Sequence, residues 1–346
     1  MKVLTIVVPV YNTEKYIKRC LDSLDNEKIN SKIEVLIVSD GSIVNSIEIA
    51  KDYSKRFPDT FKIIEKENGG HGSTINKGLE LATGKYFRVL DSDDWVDSKK
   101  FVQFVEELNN QDADLIVTDY RKEYVYEGIS EKFTYKDLEP NKIYNFDTFD
   151  LNKLNGEYFV MATSTYRTEV LRKSNLHLME KTFYVDMQYN VVPIKEVNSF
   201  IYFTLDIYRY FIGRKDQSVN TASFAKNHSN HDKVVKFLID YYMECNVKLS
   251  KNKKNYIKMI IKYILFTHYS IYCMYFKNKR EGYKLAKSFD NYLKMTSPEL
   301  YKESNISFIK IYRKLKFLPT LIVFNKFKDF FVNFLKRVRR VLWKKY

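Results

Sequence analysis

The chain has 346 residues, a formal net charge of +15, and 45% hydrophobic and 29% charged residues. That length suits a large domain with a smaller one, and the composition excludes wholesale disorder. Cys20, Cys245 and Cys273 are odd in number and widely spaced, match no metal pattern, and read as free thiols of a reducing compartment.

The first apolar run, Val3–Val8, is too short for a signal-peptide core or a membrane span and reads as a strand. Ile33–Val38, Phe61–Glu65, Tyr86–Leu90 and Asp114–Val117 read as further strands. Between them Glu14–Leu24, Ile43–Phe57, Ser73–Ala82 and Ser98–Leu108 have helical periodicity. This alternation predicts an α/β domain, a mostly parallel sheet with helices on both faces. Such sheets gather ligands at the carboxyl ends of their strands. Further on, Glu157–Thr163 reads as a strand, Tyr184–Val192 as a helix and Phe200–Gly213 as one or two strands. Val234–Tyr242, Tyr256–Tyr275 and Tyr283–Leu293 predict an all-helical remainder. The expected division is 1–225 for the α/β domain and 226–346 for the helical region.

Several loops at the predicted strand ends carry chemistry. Asp91-Ser92-Asp93-Asp94 follows a buried strand, and three adjacent carboxylates repel one another unless a cation balances them. Oxygen donors suit Mg²⁺ or Mn²⁺ arriving with substrate phosphates. A helix N-cap is the alternative for Asp94 or Ser98, although a cap needs a single acid. Asp40-Gly41-Ser42 ends the second strand, where a carboxylate can accept from a base N–H or simply close a turn. Asn68-Gly69-Gly70-His71-Gly72 either cradles phosphate at a helix N-terminus or turns tightly, and matches neither the dinucleotide fingerprint nor the P-loop. His71 either touches a phosphate or is structural. Asp186, ringed by Phe183, Tyr184 and Tyr189, suits a general base if partly desolvated, although spacing alone favours a helix cap.

Taken in order, Val8-Pro9-Val10-Tyr11-Asn12, Ser39-Asp40-Gly41-Ser42, Asn68-Gly69-Gly70, then Asn76, Gly78, Ala82, Gly84, Lys85 and Tyr86 leading into Leu90-Asp91-Ser92-Asp93-Asp94-Trp95, the chain resembles the inverting family 2 glycosyltransferases of GT-A fold. The likeness is strongest over about the first 95 residues, loosens towards residue 220 and omits the helical tail. It implies a nucleotide-sugar donor held by Pro9, Tyr11, Asp40, Asn68, Gly69, Asp91 and Ser92. It also implies a divalent ion on Asp91 and Asp93, with Asp94 as a substitute, and Asp186 as catalytic base. Where the family usually has a Glu-Asp pair, this chain has Val185-Asp186, and Ile75 stands where many relatives carry arginine. Tyr208–Arg214 with Gln217-Ser218-Val219 resembles a segment of bacterial members, which puts Arg214 or Gln217 near the diphosphate or acceptor. The polysaccharide-synthase motif Gln-x-x-Arg-Trp is absent, which argues against a processive polymerase. UDP is the expected nucleotide.

From Asn305 to Tyr346 there are twelve Lys or Arg and one acid, Asp329. Phe327, Phe331, Phe334, Val338 and Val341 form one helical stripe beside that charge, the pattern of a helix lying in a membrane interface. Residues 320–346 are therefore expected either to bind an anionic membrane surface or to pack on the domain. The first alternative suits a peripheral enzyme at the cytoplasmic face of the cell membrane, extending a glycan or lipid-linked acceptor in surface-polysaccharide synthesis. Teichoic-acid-type polymer glycosylation is the alternative within the same chemistry. A non-catalytic basic protein binding nucleic acid or membrane is the alternative outside it, and leaves Asp91–Asp94 without purpose. A catalytically dead partner subunit has the missing acid before Asp186 as its support.

Overall fold

Leu4–Val10 (β1) and Ile33–Asp40 (β2) are buried at every residue, as strands covered on both faces must be. The computed structural model describes residues 2–42, 45–214 and 221–317. In chain order the elements of the first unit are β1, α1 (Ile17–Leu24), β2, α2 (Ser46–Arg56), β3 (Phe61–Lys66), α3 (His71–Leu81), β4 (Tyr86–Val89), β5 (Trp95–Val96), α4 (Ser98–Leu108), β6 (Leu115–Tyr124), β7 (Ile129–Phe133), β8 (Ile143–Asn145), β9 (Ser164–Arg167), α5 (Thr168–Lys173), α6 (Asp186–Val191) and β10 (Ser199–Ile212).

One sheet runs in the order β3-β2-β1-β4-β9-β6-β10-β5, with β7 on β6 and β8 on β10. β3, β2, β1 and β4 are mutually parallel, so their carboxyl ends share one rim. β9 enters antiparallel between β4 and β6. Glu34, wholly buried in β2, accepts from the Thr5 hydroxyl and from the amide and hydroxyl of Thr83, and pairs with Lys62 at 2.8 Å. Four donor groups on three residues offset the desolvation of that carboxylate and fix the turn into β4. A Cβ on Gly78 would meet Val7 at 2.3 Å, so α3 lies closer to β1 than any other residue would permit.

β10 is a single long strand. Its pairing with β6 slips on either side of Asp206, and these bulges re-aim the residues that follow. Asp206 at the slip pairs with Lys100 and Arg121.

Two expectations need correction. Residues 157–163 form no strand: the amides of Thr163 and Ser164 both turn back onto the Val160 carbonyl, and the ladder begins at Ser164. Phe159 is buried there for its ring contacts with Tyr135 and Phe200, so its apolar character reflects packing and not pairing. Asp94 is no helix cap, because α4 is capped by Asp97, whose side chain accepts from the Lys100 amide.

By compactness the chain divides into Met1–Phe149 with Phe159–Lys215, and Asp150–Tyr158 with Asp216–Tyr346. The expected boundary at 225 falls inside α7 (Thr221–Lys226), in the second unit. That unit continues with α8 (His228–Cys245), α9 (Lys251–Ser270), α10 (Lys279–Thr296), α11 (Pro298–Glu303) and α12 (Ser307–Lys314). A π-helical turn over Ile271–Tyr275 prolongs α9. None of the described helices is long and apolar enough to cross a membrane. The basic stripe of 320–346 and Gln217 lie outside the described residues.

Candidate active site

The rim of the parallel strands brings together the loops after β1, β2, β3 and β4. Asp40, at the end of β2, accepts from the amides of Gly69 and Gly70 at 2.8 Å each, and from Lys66 at 3.2 Å and Ser73 at 3.3 Å. Asn68 Nδ2 returns a bond to the Asp40 carbonyl at 2.9 Å. Both carboxylate oxygens of Asp40 are thus engaged in organising the glycine loop. Asp40 therefore closes the turn, and the Gly69 and Gly70 amides point at Asp40 instead of forming an open phosphate cradle.

The glycines have a second reason. Gly70 sits at φ +83°, and a Cβ on Gly72 would meet the Met179 carbonyl at 2.4 Å. The segment 178–182 passes directly over the loop: Lys181 N donates to Gly69 O at 2.5 Å, and Asn76 exchanges two bonds with the Leu178 backbone at 2.8 and 2.9 Å. Met179 N also donates to Gln188 Oε1 on α6 at 2.9 Å. This strap ties α6, and Asp186 at its start, to the glycine loop. Tyr184, two residues before Asp186, is held at φ +67°, a backbone state that is costly for an aromatic residue.

The acidic loop is fixed from behind. Arg19 Nη2 donates to the Asp93 carbonyl at 2.9 Å, and its guanidinium lies 3.6 Å from the centre of the Trp95 ring. Asp94 is fully buried and accepts from the Tyr208 hydroxyl at 2.5 Å and the Phe211 amide at 2.8 Å. Burial, with Asp93 and Asp91 beside it, holds the Asp94 carboxyl well above the usual range. Asp94 therefore staples the loop to β10 and does not substitute as a metal ligand.

Asp91 and Asp93 face the other way and stay partly exposed. Asp91 Oδ1 lies 2.8 Å from His71 Nε2, and Asp93 Oδ2 lies 2.7 Å from Arg214 Nη2. Burial and then the Asp91 charge raise the Asp93 carboxyl, against the pull of Arg214. For His71, burial disfavours the imidazolium, but Asp91, then Asp186 and Asp93, outweigh it, and its pKa is raised. Asp186 is raised by burial, opposed by His71 and reinforced by Asp91. These mutual influences connect Asp91, Asp93, His71 and Asp186 as one electrostatic group.

Among the other expected contacts, Tyr11 is half exposed on the rim and Asn68 is exposed. Pro9 is buried within β1, and Ser92 is 3% exposed, so neither presents a surface to a ligand in this conformation. Lys66, Ser73, Arg19, Tyr208 and the 178–182 strap were not singled out by the sequence. Their partners lie far away along the chain, and no local spacing announces them.

Two hard carboxylates side by side, backed by a pinned loop, fit a Mg²⁺ or Mn²⁺ that takes its remaining ligands from a diphosphate. Among the described residues no group of three or more His, Cys, Asp or Glu is arranged as an all-protein cage.

The family model for glycosyl transferase family 2 matches residues 5–174, which include every rim loop after β1 to β4. Over those residues, just under half of the chain, the protein is similar to glycosyl transferase family 2. The putative glycosyltransferase EpsH of Bacillus subtilis is 40% identical over 120 residues, covering 35% of this chain and 34% of its own. The teichoic acid poly(glycerol phosphate) polymerase of Staphylococcus epidermidis is 28% identical over 207 residues, 58% of this chain and 27% of its own. The chain thus spans about a third of the length of these curated relatives. A crystal structure of S. aureus TarS 1-349 in complex with UDP-GlcNAc superposes with a TM-score of 0.61 at 17% identity, covering 88% of this chain and 84% of that one. At that identity the match speaks to the fold alone, and the fold of this chain is GT-A followed by helices.

Proposed function

We propose that the chain transfers a sugar, with inversion, from a nucleotide diphosphate to the hydroxyl of a glycan or lipid-linked acceptor in the synthesis of a bacterial surface polymer. What carries the reading is the electrostatic group on one rim: Asp91 and Asp93 side by side, with His71 and Asp186 within their field. UDP is the preferred nucleotide, since a structural neighbour was solved with UDP-GlcNAc.

In this mechanism Tyr11 and Asn68 flank the nucleoside, and Asp40 acts by holding the glycine loop in shape. Asp91 and Asp93 would hold a divalent ion, which when bound neutralises charge on the departing diphosphate. Asp186 accepts the proton of the acceptor hydroxyl as that oxygen bonds to the anomeric carbon and the bond to the diphosphate oxygen breaks. A raised carboxyl pKa makes Asp186 a better proton acceptor than an ordinary surface aspartate, provided it remains ionised at the working pH. The family relation to a teichoic acid polymerase supports a phosphate-linked polymer as a second acceptor class. An acidic rim repels a nucleic acid, which disfavours the non-catalytic nucleic-acid alternative.

We also assign the 320–346 tail, rich in Lys and Arg, to an anionic membrane surface at the cytoplasmic face, where each such charge contributes about 1 kcal/mol. Liposome sedimentation with and without these residues tests that part, and equal binding by both forms rejects it. For the catalytic reading, the decisive measurement is thermal stability of the full chain with UDP, GDP and their sugars, with and without Mn²⁺. A metal-dependent rise with one nucleotide is expected, because binding to the folded state raises apparent stability. No rise with any of them would remove the reading.

A further inference from the structure

The acidic loop is held in two different ways at once. Its backbone and Asp94 are fixed from behind by Arg19, Tyr208 and Phe211. The tips of Asp91 and Asp93 are held by side chains from two other segments, the His71 imidazole at the start of α3 and the Arg214 guanidinium just beyond β10. In the Arg214–Asp93 pair the side chains keep 15% and 17% exposure. The guanidinium also lies 5.0 Å from the Tyr16 ring centre. One oxygen of each carboxylate suited to a divalent ion is therefore already engaged, Asp91 Oδ1 with His71 and Asp93 Oδ2 with Arg214. A divalent ion and a guanidinium held on the same carboxylate repel each other.

Resting on the reading of this rim as a metal–diphosphate site, we propose that Arg214 is an exchangeable counter-cation: it holds Asp93 while no divalent ion is there, and moves onto the diphosphate when metal and nucleotide arrive together. A guanidinium presents the same planar fork to a phosphate as to a carboxylate, so one partner replaces the other without leaving the charge unpaired. Asp93 keeps a cation in both states, which the repulsion from Asp91 demands. Arg19 does not exchange, because its guanidinium is occupied by the Asp93 carbonyl and the Trp95 face. The loop backbone therefore stays in place while the charges at its tips change partner.

This exchange has a signature that simple ligand binding lacks. Arg214 opposes the metal alone and favours the metal with nucleotide, so removing its charge shifts the two affinities in opposite directions. Mn²⁺ binding to the full chain is read by electron paramagnetic resonance, first alone and then with UDP. Arg214→Gln is expected to bind Mn²⁺ alone about tenfold more tightly than the unmodified chain, and UDP at saturating Mn²⁺ about tenfold more weakly, a factor that one interaction of ordinary strength supplies. Arg214→Lys, which keeps the charge, stays near the unmodified chain in the first measurement. Arg214→Met serves if the glutamine variant folds poorly, as judged by circular dichroism. Equal or weaker binding of Mn²⁺ alone by the uncharged variants, while the unmodified chain binds Mn²⁺ and UDP, overturns the exchange and leaves the functional reading standing. Failure of the unmodified chain to bind Mn²⁺ with UDP overturns both.

Discussion

Two arginine–aspartate pairs, one in each compact unit, show how differently the same chemistry can be used. In the helical unit Arg313 pairs with Asp290 at 2.6 Å, donates to the Tyr301 carbonyl, the Ser304 hydroxyl and the Tyr269 hydroxyl, and lies 3.9 Å from the centre of the Tyr301 ring. Asp290 accepts a further 2.6 Å bond from Tyr269. Every side of that pair is occupied by its own unit. On the rim of the sheet, Arg214 holds Asp93 by a 2.7 Å contact at a surface already crowded with like charge. Saturation makes the first pair an internal brace. The crowded carboxylates make the second a place where a cation is needed and can be exchanged.

Substitutions can break this contrast, and the largest effect belongs to the rim. Asp93→Ala and Asp186→Asn are each expected to lower sugar transfer about a thousandfold or more, within the range that general-base and charge-stabilising groups supply, with little change in thermal unfolding. Near-normal turnover by either purified variant would cancel the role given to that residue.

Asp290→Ala should do the reverse. Leaving the largely covered Arg313 side chain without its carboxylate is expected to cost about 3 kcal/mol, read from urea unfolding followed in the helical unit. A loss below about 1 kcal/mol would mean that the brace is no stronger than a surface pair.

Gly72→Ala sharpens the comparison on the rim side. The new Cβ would meet the Met179 carbonyl at 2.4 Å, which must push the 178–182 strap away. A destabilisation of about 1–3 kcal/mol is expected from overpacking, together with lower turnover because Asp186 follows that strap. Unchanged turnover would show that the strap does not position Asp186.

The smallest effect is one of pH. Asp206 is held down to about 2: burial opposes its charge, but hydrogen bonds from Lys100 and Arg121 more than reverse this. A carboxyl depressed in the folded state stabilises fully above its unfolded value of about 4 and loses that contribution as pH falls towards 2. The stability gap between the unmodified chain and Asp206→Asn should therefore be present at neutral pH and shrink steadily between pH 4 and 2. A gap that is constant over that interval would contradict the assignment.

The strands and helices of the first 108 residues were legible because both periods were clean: apolar runs in β1 and β2 interrupted within the run only by Thr5 and Glu34, and a helical stripe in α4. The acidic loop was legible as well, since three carboxylates after a buried strand have few purposes. What the sequence left open was the division of labour within the loop. Asp91, Asp93 and Asp94 look alike on paper, and only β10, folding back with Tyr208 and Phe211, buries one of them and leaves two facing the rim. Similarly, Gly69, Gly70 and Gly72 announced a tight turn, yet the strap that requires it arrives from about a hundred residues away. Residues 157–163 misled for the same cause: apolar side chains record burial but not which backbone groups find partners. Local periodicity is a property of neighbours in sequence, and it determined the layers and the rim. Which charge is buried, paired or left to meet a ligand depends on segments that meet only after folding, so tertiary structure alone decided it.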